Sequence, residues 1–183
     1  RGYRNAHAQS QRRLNLKVWE APSIHHLQRW CQTQWLQTWP DAQRLHGTQE
    51  LLLWQQAIEE DGAAGDVLSK SALAREARAT ARLATQYLID PARSPRYTDE
   101  QEAFVRWHRR VRETMRQNSW VTESEIPALL LEQVRKGQVI PPTHITVAGA
   151  TTRLTPLERE LLQTLAKAGS HLEIRDSRAA GQR

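Results

Sequence analysis

The chain has 183 residues, 39% hydrophobic and 25% charged, which is the composition of a globular domain and not of a disordered chain. Its longest apolar run, Leu51-Leu52-Leu53-Trp54, is too short to cross a membrane, and a single cysteine, Cys31, excludes an internal disulfide framework and a cysteine-rich zinc centre. Lys and Arg number 26 against 20 Asp and Glu, giving a net charge of +6; Lys17, Lys70, Lys136 and Lys167 are the only lysines, so 22 of the cations are arginine. No apolar export signal follows the N-terminus, and the expected location is the cytoplasm. The first residue is Arg and not Met, so the chain is expected to be a piece of a longer parent.

The opening, Gly2 to Leu14, is polar, basic and helix-compatible. Leu16-Lys17-Val18-Trp19 alternates in the manner of a short strand. A helix is then expected from Pro22 and Ser23, with Ile24, Leu27, Trp30, Cys31, Trp35 and Trp39 as one inward stripe and Pro40 as its stop. Thr48 is placed to cap the next helix, whose inward residues are Leu51, Trp54 and Ile58. Gly62 to Gly65 reads as a loop. A long Ala- and Arg-rich helix follows over about 67–89 and stops at Pro91, its small residues permitting close packing.

Thr98 with Gln101 forms a capping-box pattern ahead of a helix with Phe104, Trp107, Val111 and Met115 inward. Thr122 with Glu125 repeats the pattern before Ile126, Leu129, Leu130 and Val134, and Gly137 is placed as a C-terminal cap. Beyond Pro141-Pro142 the pattern changes. His144 to Val147 reads as a strand, Thr155-Pro156-Leu157-Glu158 as a helix start, and His171 to Ile174 as a second strand. Strand, helix and strand over so few residues predict a βαβ unit with parallel strands.

These elements predict an α/β fold: a partial parallel sheet with strands near 16–19, 144–148 and 171–175, interrupted by a large all-helical insertion. The expected divisions are 1–40 and 140–176 for the α/β part, 41–139 for the helical insertion, and a loose tail at 177–183.

The cations are unevenly placed. Arg1, Arg4, Arg12 and Arg13 have no acid among them, Arg106, Arg109, Arg110, Arg112 and Arg116 crowd a second segment, and acids gather at Glu59-Glu60-Asp61. Arginine binds phosphate bidentately and stacks on bases, so this separation fits a nucleic-acid-facing surface; an Arg-rich solvated surface is the plain alternative. Seven tryptophans invite a stacking role, yet Trp30, Trp35, Trp54 and Trp107 fall on core stripes, which leaves Trp19 and Trp120 as the expected exposed ones. His25-His26 near Cys31 is a poor metal set, since adjacent helical residues diverge by about 100°. Cys31 has no evident histidine partner for nucleophilic chemistry. The carboxylate pairs Glu123/Glu125 and Glu158/Glu160 sit at helix starts, where capping explains them. No GxSxG, HExxH or GxxxxGK[ST] pattern occurs, and no cofactor is expected.

Two segments together carry a resemblance. One is Val18-Trp19-Glu20-Ala21-Pro22-Ser23-Ile24, followed by Trp30 and by Thr48-Gln49-Glu50-Leu51-Leu52-Leu53-Trp54. The other is Ile145-Thr-Val-Ala-Gly149-Ala, followed by Leu154-Thr-Pro-Leu-Glu158-Arg-Glu-Leu-Leu162. Their order and spacing resemble the helicase-like N-terminal half of AddB-type bacterial DNA repair proteins, over nearly the whole chain. The resemblance implies a degenerate superfamily-one helicase core, with a RecA-like first domain at the ends and an inserted helical subdomain between them. In a working helicase the strand at 145–147 would end in an acidic pair for magnesium; here those positions are Ala148 and Gly149, which implies no ATP hydrolysis by these residues. It also implies a PD-(D/E)XK nuclease far downstream in the parent.

The sequence therefore reads as a non-catalytic part of a DNA repair or recombination protein that contacts DNA, or scaffolds a nuclease or a helicase-nuclease partner subunit. Arg106, Arg109, Arg110 and Arg116 are the first candidates for phosphate contact, and Arg75, Arg78 and Arg82 the second. No membrane partner is expected. The rival reading is a protein-interaction module whose arginines are solvated or paired with an acidic partner.

Overall fold

The computed structural model describes residues 2–19, 23–62, 69–95, 98–149 and 154–175. In chain order the elements are α1 (Gly2–Arg13), α2 (Leu27–Gln37), β1 (Gln43–Arg44), α3 (Gly47–Asp61), α4 (Lys70–Gln86), α5 (Asp99–Gln117), β2 (Trp120–Val121), α6 (Ile126–Arg135), β3 (His144–Ala148), α7 (Pro156–Lys167) and β4 (His171–Arg175). The chain divides into two compact units, Arg1–Trp30 and Cys31–Arg183, so the helices of 41–139 share a unit with the βαβ segment that follows them. The expected tail at 177–183 lies outside the described residues.

Residues 16–19 form no strand. Asn15 takes a left-handed φ of 58° at the end of α1, the chain bends at Lys17 and Val18, and Val18 is 86% exposed. Alternation over so short a run supplies no partner edge, and without one the backbone gains nothing by extending. The expected helix from Pro22 also begins later, at Leu27; residues 23–26 are irregular, and Pro22 lies outside the described residues. α2 ends at Gln37. Trp39 then sits at φ 50° and is 90% exposed, off the inward stripe on which periodicity had placed it.

Three helices build the main core. Trp54, Ala57 and Ile58 of α3 meet Ala74 and Ala77 of α4 and Ala103, Trp107, Val111 and Met115 of α5, with Leu45 closing one end. The alanines of α4 are the reason it can lie close: Ala74 is fully buried and presents only a methyl group to α3. Trp54 stacks on Phe104, their centroids 6.0 Å apart and their planes 3° from parallel. α3 starts two residues earlier than expected: His46 is the N-cap in place of Thr48, and the His46 N–H donates to Gln49 Oε1 at 2.9 Å. α4 runs over 70–86 and closes where Leu88 turns left-handed at φ 57°.

α6 and α7 form the second packed pair, burying Ile126, Leu130, Leu131 and Val134 on one and Leu157, Leu161, Leu162 and Leu165 on the other. Of the three expected capping boxes only the one at α7 is complete: α5 has the Thr98 half alone, and α6 starts at Ile126 with Glu125 at the N-cap, so the Thr122–Glu125 bonds shape the turn before the helix. Thr98 Oγ1 accepts from the Gln101 N–H, and Glu125 Oε2 accepts from the Thr122 N–H at 2.8 Å. At α7 the box is reciprocal, with Glu158 accepting from the Thr155 N–H at 2.8 Å and Thr155 Oγ1 accepting from the Glu158 N–H at 3.3 Å. Gly137 closes α6 at φ 68°. Thr155→Ala is expected to cost about 1 kcal/mol, read as a lower urea midpoint at unchanged slope; an unmoved midpoint would show that the box contributes nothing.

β3 and β4 pair in parallel with α7 between them, as the βαβ pattern predicts, in the register His144↔His171 to Ala148↔Arg175. Among the described residues they pair only with each other, so the expected sheet of three strands is not formed. One face of the pair carries Ile145, Val147 and Leu172, half-buried; the other carries His144, Thr146, Glu173 and Arg175, all exposed. That polar face differs from a doubly covered parallel sheet, whose strands are apolar on both sides. A second parallel pair, β1 with β2, has only two residues per strand, with Gln43 opposite Trp120 and Arg44 opposite Val121. It clamps the segment before α3 to the turn after α5 and leaves Trp120 half-buried.

Candidate nucleic-acid interface

The seven candidate arginines lie on α4 and α5, and the structure sorts them by partner. Arg106 and Arg110 point to the acidic end of α3. Arg106 donates twice to Asp61, from Nε at 3.0 Å and Nη2 at 2.9 Å, and Arg110 lies 3.2 Å from Glu60. Trp107 Nε1 also donates to Asp61 at 3.0 Å, so this carboxylate ties the charged and buried faces of α5 to α3. Arg78 donates to Glu50 at 2.9 Å, passing Gly47, where an added Cβ would stand 3.0 Å from its Nη2. Arg116 makes two bonds to Glu113, one turn back on its own helix. The sequence-predicted group is therefore not one open patch: Arg78, Arg106 and Arg110 have intramolecular structural partners on α3.

Arg75, Arg82 and Arg109 are exposed and form no ion pair among the described residues. Arg75, Arg78 and Arg82 stand at i, i+3 and i+7 of α4. Arg109, Arg112 and Arg116 repeat that spacing on α5. Residues so spaced share one helix face, so each helix carries a row of three arginines spanning about 10 Å. The two rows meet at Arg82 and Arg112. Arg82 and Arg112 line one small depression with His108, Glu50 and Glu125, and His108, Arg109, Arg112 and Arg116 line an open groove of about 320 Å³ with Asp90 and Glu113. Arg112, which the sequence reading placed in the basic segment but not among the contact residues, links the two. Its ion pair with Glu125 anchors it to the start of α6. The 109/112/116 spacing was the signal that could have found it.

The electrostatics follow from burial. Burial pushes the Glu50 carboxyl up, against the opposing pull of Arg78. The Arg106 hydrogen bonds hold the Asp61 carboxyl below its ordinary 3.8. Its folded pKa is lowered, so Asp61 contributes stability that is present above about pH 3.8 and is lost as pH falls through the folded value. Asp61→Asn is therefore expected to lower stability at neutral pH and to flatten the acid limb of a stability-versus-pH profile. An unchanged acid limb would contradict this. His108 is pushed down by burial, with Arg112 acting in the same direction, so it is neutral at pH 7.

The remaining sequence candidates stand apart from the rows. Ala148 is the exposed last residue of β3, and Gly149 follows at φ 127°, its N–H donating to the Arg175 carbonyl at 3.1 Å. Cys31 is fully buried and its thiol is pushed up to about 12, mainly by desolvation, so it is not a thiolate at neutral pH. His25 precedes α2 and bonds to Ser23 at 2.9 Å. Among the described residues no group of three or more His, Cys, Asp and Glu side chains could hold a metal ion, and no helix is long and apolar enough to cross a membrane. No family model matches the chain, and no curated protein matches it.

Proposed function

We propose that the chain is a non-catalytic, nucleic-acid-holding part of a DNA repair or recombination protein of the AddB-like, helicase-like kind that its sequence resembles. The two adjoining arginine rows carry this reading. They concentrate positive charge on neighbouring helices, and Arg75, Arg82 and Arg109 hold no ion pair among the described residues, although Arg82 lies near enough to Glu50 to pull on its carboxyl. Guanidinium groups in such an array suit phosphate oxygens, and contacts of this kind read no base sequence. The parallel β3–α7–β4 unit would be this chain's share of a RecA-like sheet, and a nuclease elsewhere in the parent would act on the DNA held here. Binding of the full chain to several labelled DNAs of unrelated sequence tests the proposal. Similar affinity for all of them at low salt is expected; no binding, or strong dependence on base sequence, would overturn it.

A second reading has its own observation. Leu83, Tyr87, Leu88 and Ile89, at the end of α4, are each about half exposed, an apolar cluster of the sort that marks a protein contact. As a protein-interaction module the chain would keep its partner when the arginines are replaced and lose it when these four are made polar.

A further inference from the structure

We infer that the two arginine rows select double-stranded over single-stranded nucleic acid. This rests on the nucleic-acid reading above and narrows it. Proteins that hold single strands combine a basic groove with aromatic rings on which successive bases stack. Among the described residues, the depression where Arg82 meets Arg112 and the groove along the α5 row offer no exposed ring of that kind; His108, which lines both, is half-buried and stacked against Trp54 and Phe104. The one tryptophan lining them, Trp54, is 2% exposed and already stacked on Phe104. Trp107 is 8% exposed, with its indole N–H committed to Asp61. Trp39, by contrast, is exposed but stands after α2 and lines neither feature.

What the site does offer is charge in two rows on neighbouring helices, which meet where Arg82 and Arg112 line one depression. Each row spans about 10 Å, the axial length of about three nucleotides of one strand at 3.4 Å each. Two rows on adjacent helices can engage two backbones, which a duplex presents and a single strand does not. Counterion release favours the duplex further, because each contact is worth a salt slope of about 0.9 on B-form DNA and about 0.7 on a single strand. For four contacts at 0.1 M salt that difference alone is about sixfold in affinity.

The test is fluorescence anisotropy of the full chain with a labelled duplex, its two separated strands and oligo-dT, at equal salt. The duplex is expected to bind at least about sixfold tighter than any single strand. Arg75→Ala/Arg82→Ala and Arg109→Ala/Arg116→Ala should each weaken duplex binding, with unchanged thermal melting showing that the fold is intact. Equal or tighter binding of single strands overturns the inference while leaving phosphate contact standing. Loss confined to one row overturns the two-backbone arrangement. No binding to either form overturns the underlying reading as well.

Discussion

Trp54→Ala is expected to destabilise the chain by about 3–5 kcal/mol, a large part of the 5–15 kcal/mol that holds a typical domain together. Trp54 is 2% exposed, stacks on Phe104 with parallel planes, and belongs to the core shared by α3, α4 and α5. Truncation removes that contact area and leaves a cavity which Ala57, Ala74 and Ala77 are too small to fill. Urea unfolding should show a much lower midpoint for Trp54→Ala and an almost unmoved one for Trp39→Ala, since Trp39 is 90% exposed. Equal shifts for the two tryptophans would contradict the core described here. The substitution would also loosen the proposed interface, because α4 and α5 both pack into this core.

Arg75→Ala/Arg82→Ala/Arg109→Ala is expected to reduce DNA affinity by two orders of magnitude or more at 0.1 M salt, since each lost phosphate contact is worth about eightfold there. None of the three side chains has an ion-pair partner among the described residues, so stability should hold while binding falls. The contrasting set is Arg106→Ala/Arg110→Ala. Those side chains face Asp61 and Glu60, and their loss should act mainly on stability, by freeing the end of α3 from α5. A reversed pattern, with binding lost through Arg106 and Arg110 and retained without the other three, would move the interface to the α3–α5 edge.

What the sequence made legible was local. Thr155-Pro156-Leu157-Glu158 predicts a helix start because the cap, the proline and the reciprocal glutamate act within four residues. The inward stripe of α5 needs only a period. Parallel pairing of β3 with β4 follows from the helix between them. What it hid depends on distance or on a single dihedral. The left-handed turn at Asn15 removes the strand at 16–19, and alternation gives no warning of it. Trp39 leaves its stripe because α2 stops two residues earlier. β1 and β2 are two residues long, too short to carry any period. Most consequential for the site, the arginines could be counted but not sorted. Arg106 finds Asp61 across 45 positions and Arg78 finds Glu50 across 28, and nothing in their neighbourhoods distinguishes them from Arg75, Arg82 and Arg109. The row at 109, 112 and 116 was visible as spacing, yet only packing of α5 against α4 gives it a matching row.

Phosphate contact through the arginine rows is tested by the salt dependence of DNA binding by the full chain and by Arg75→Ala/Arg82→Ala/Arg109→Ala. If the rows hold phosphates, log affinity falls linearly with log salt, and the slope of the triple variant is shallower by about 2.7, or 0.9 for each lost contact. Identical slopes for the two proteins, or binding indifferent to salt, would contradict phosphate contact through these rows.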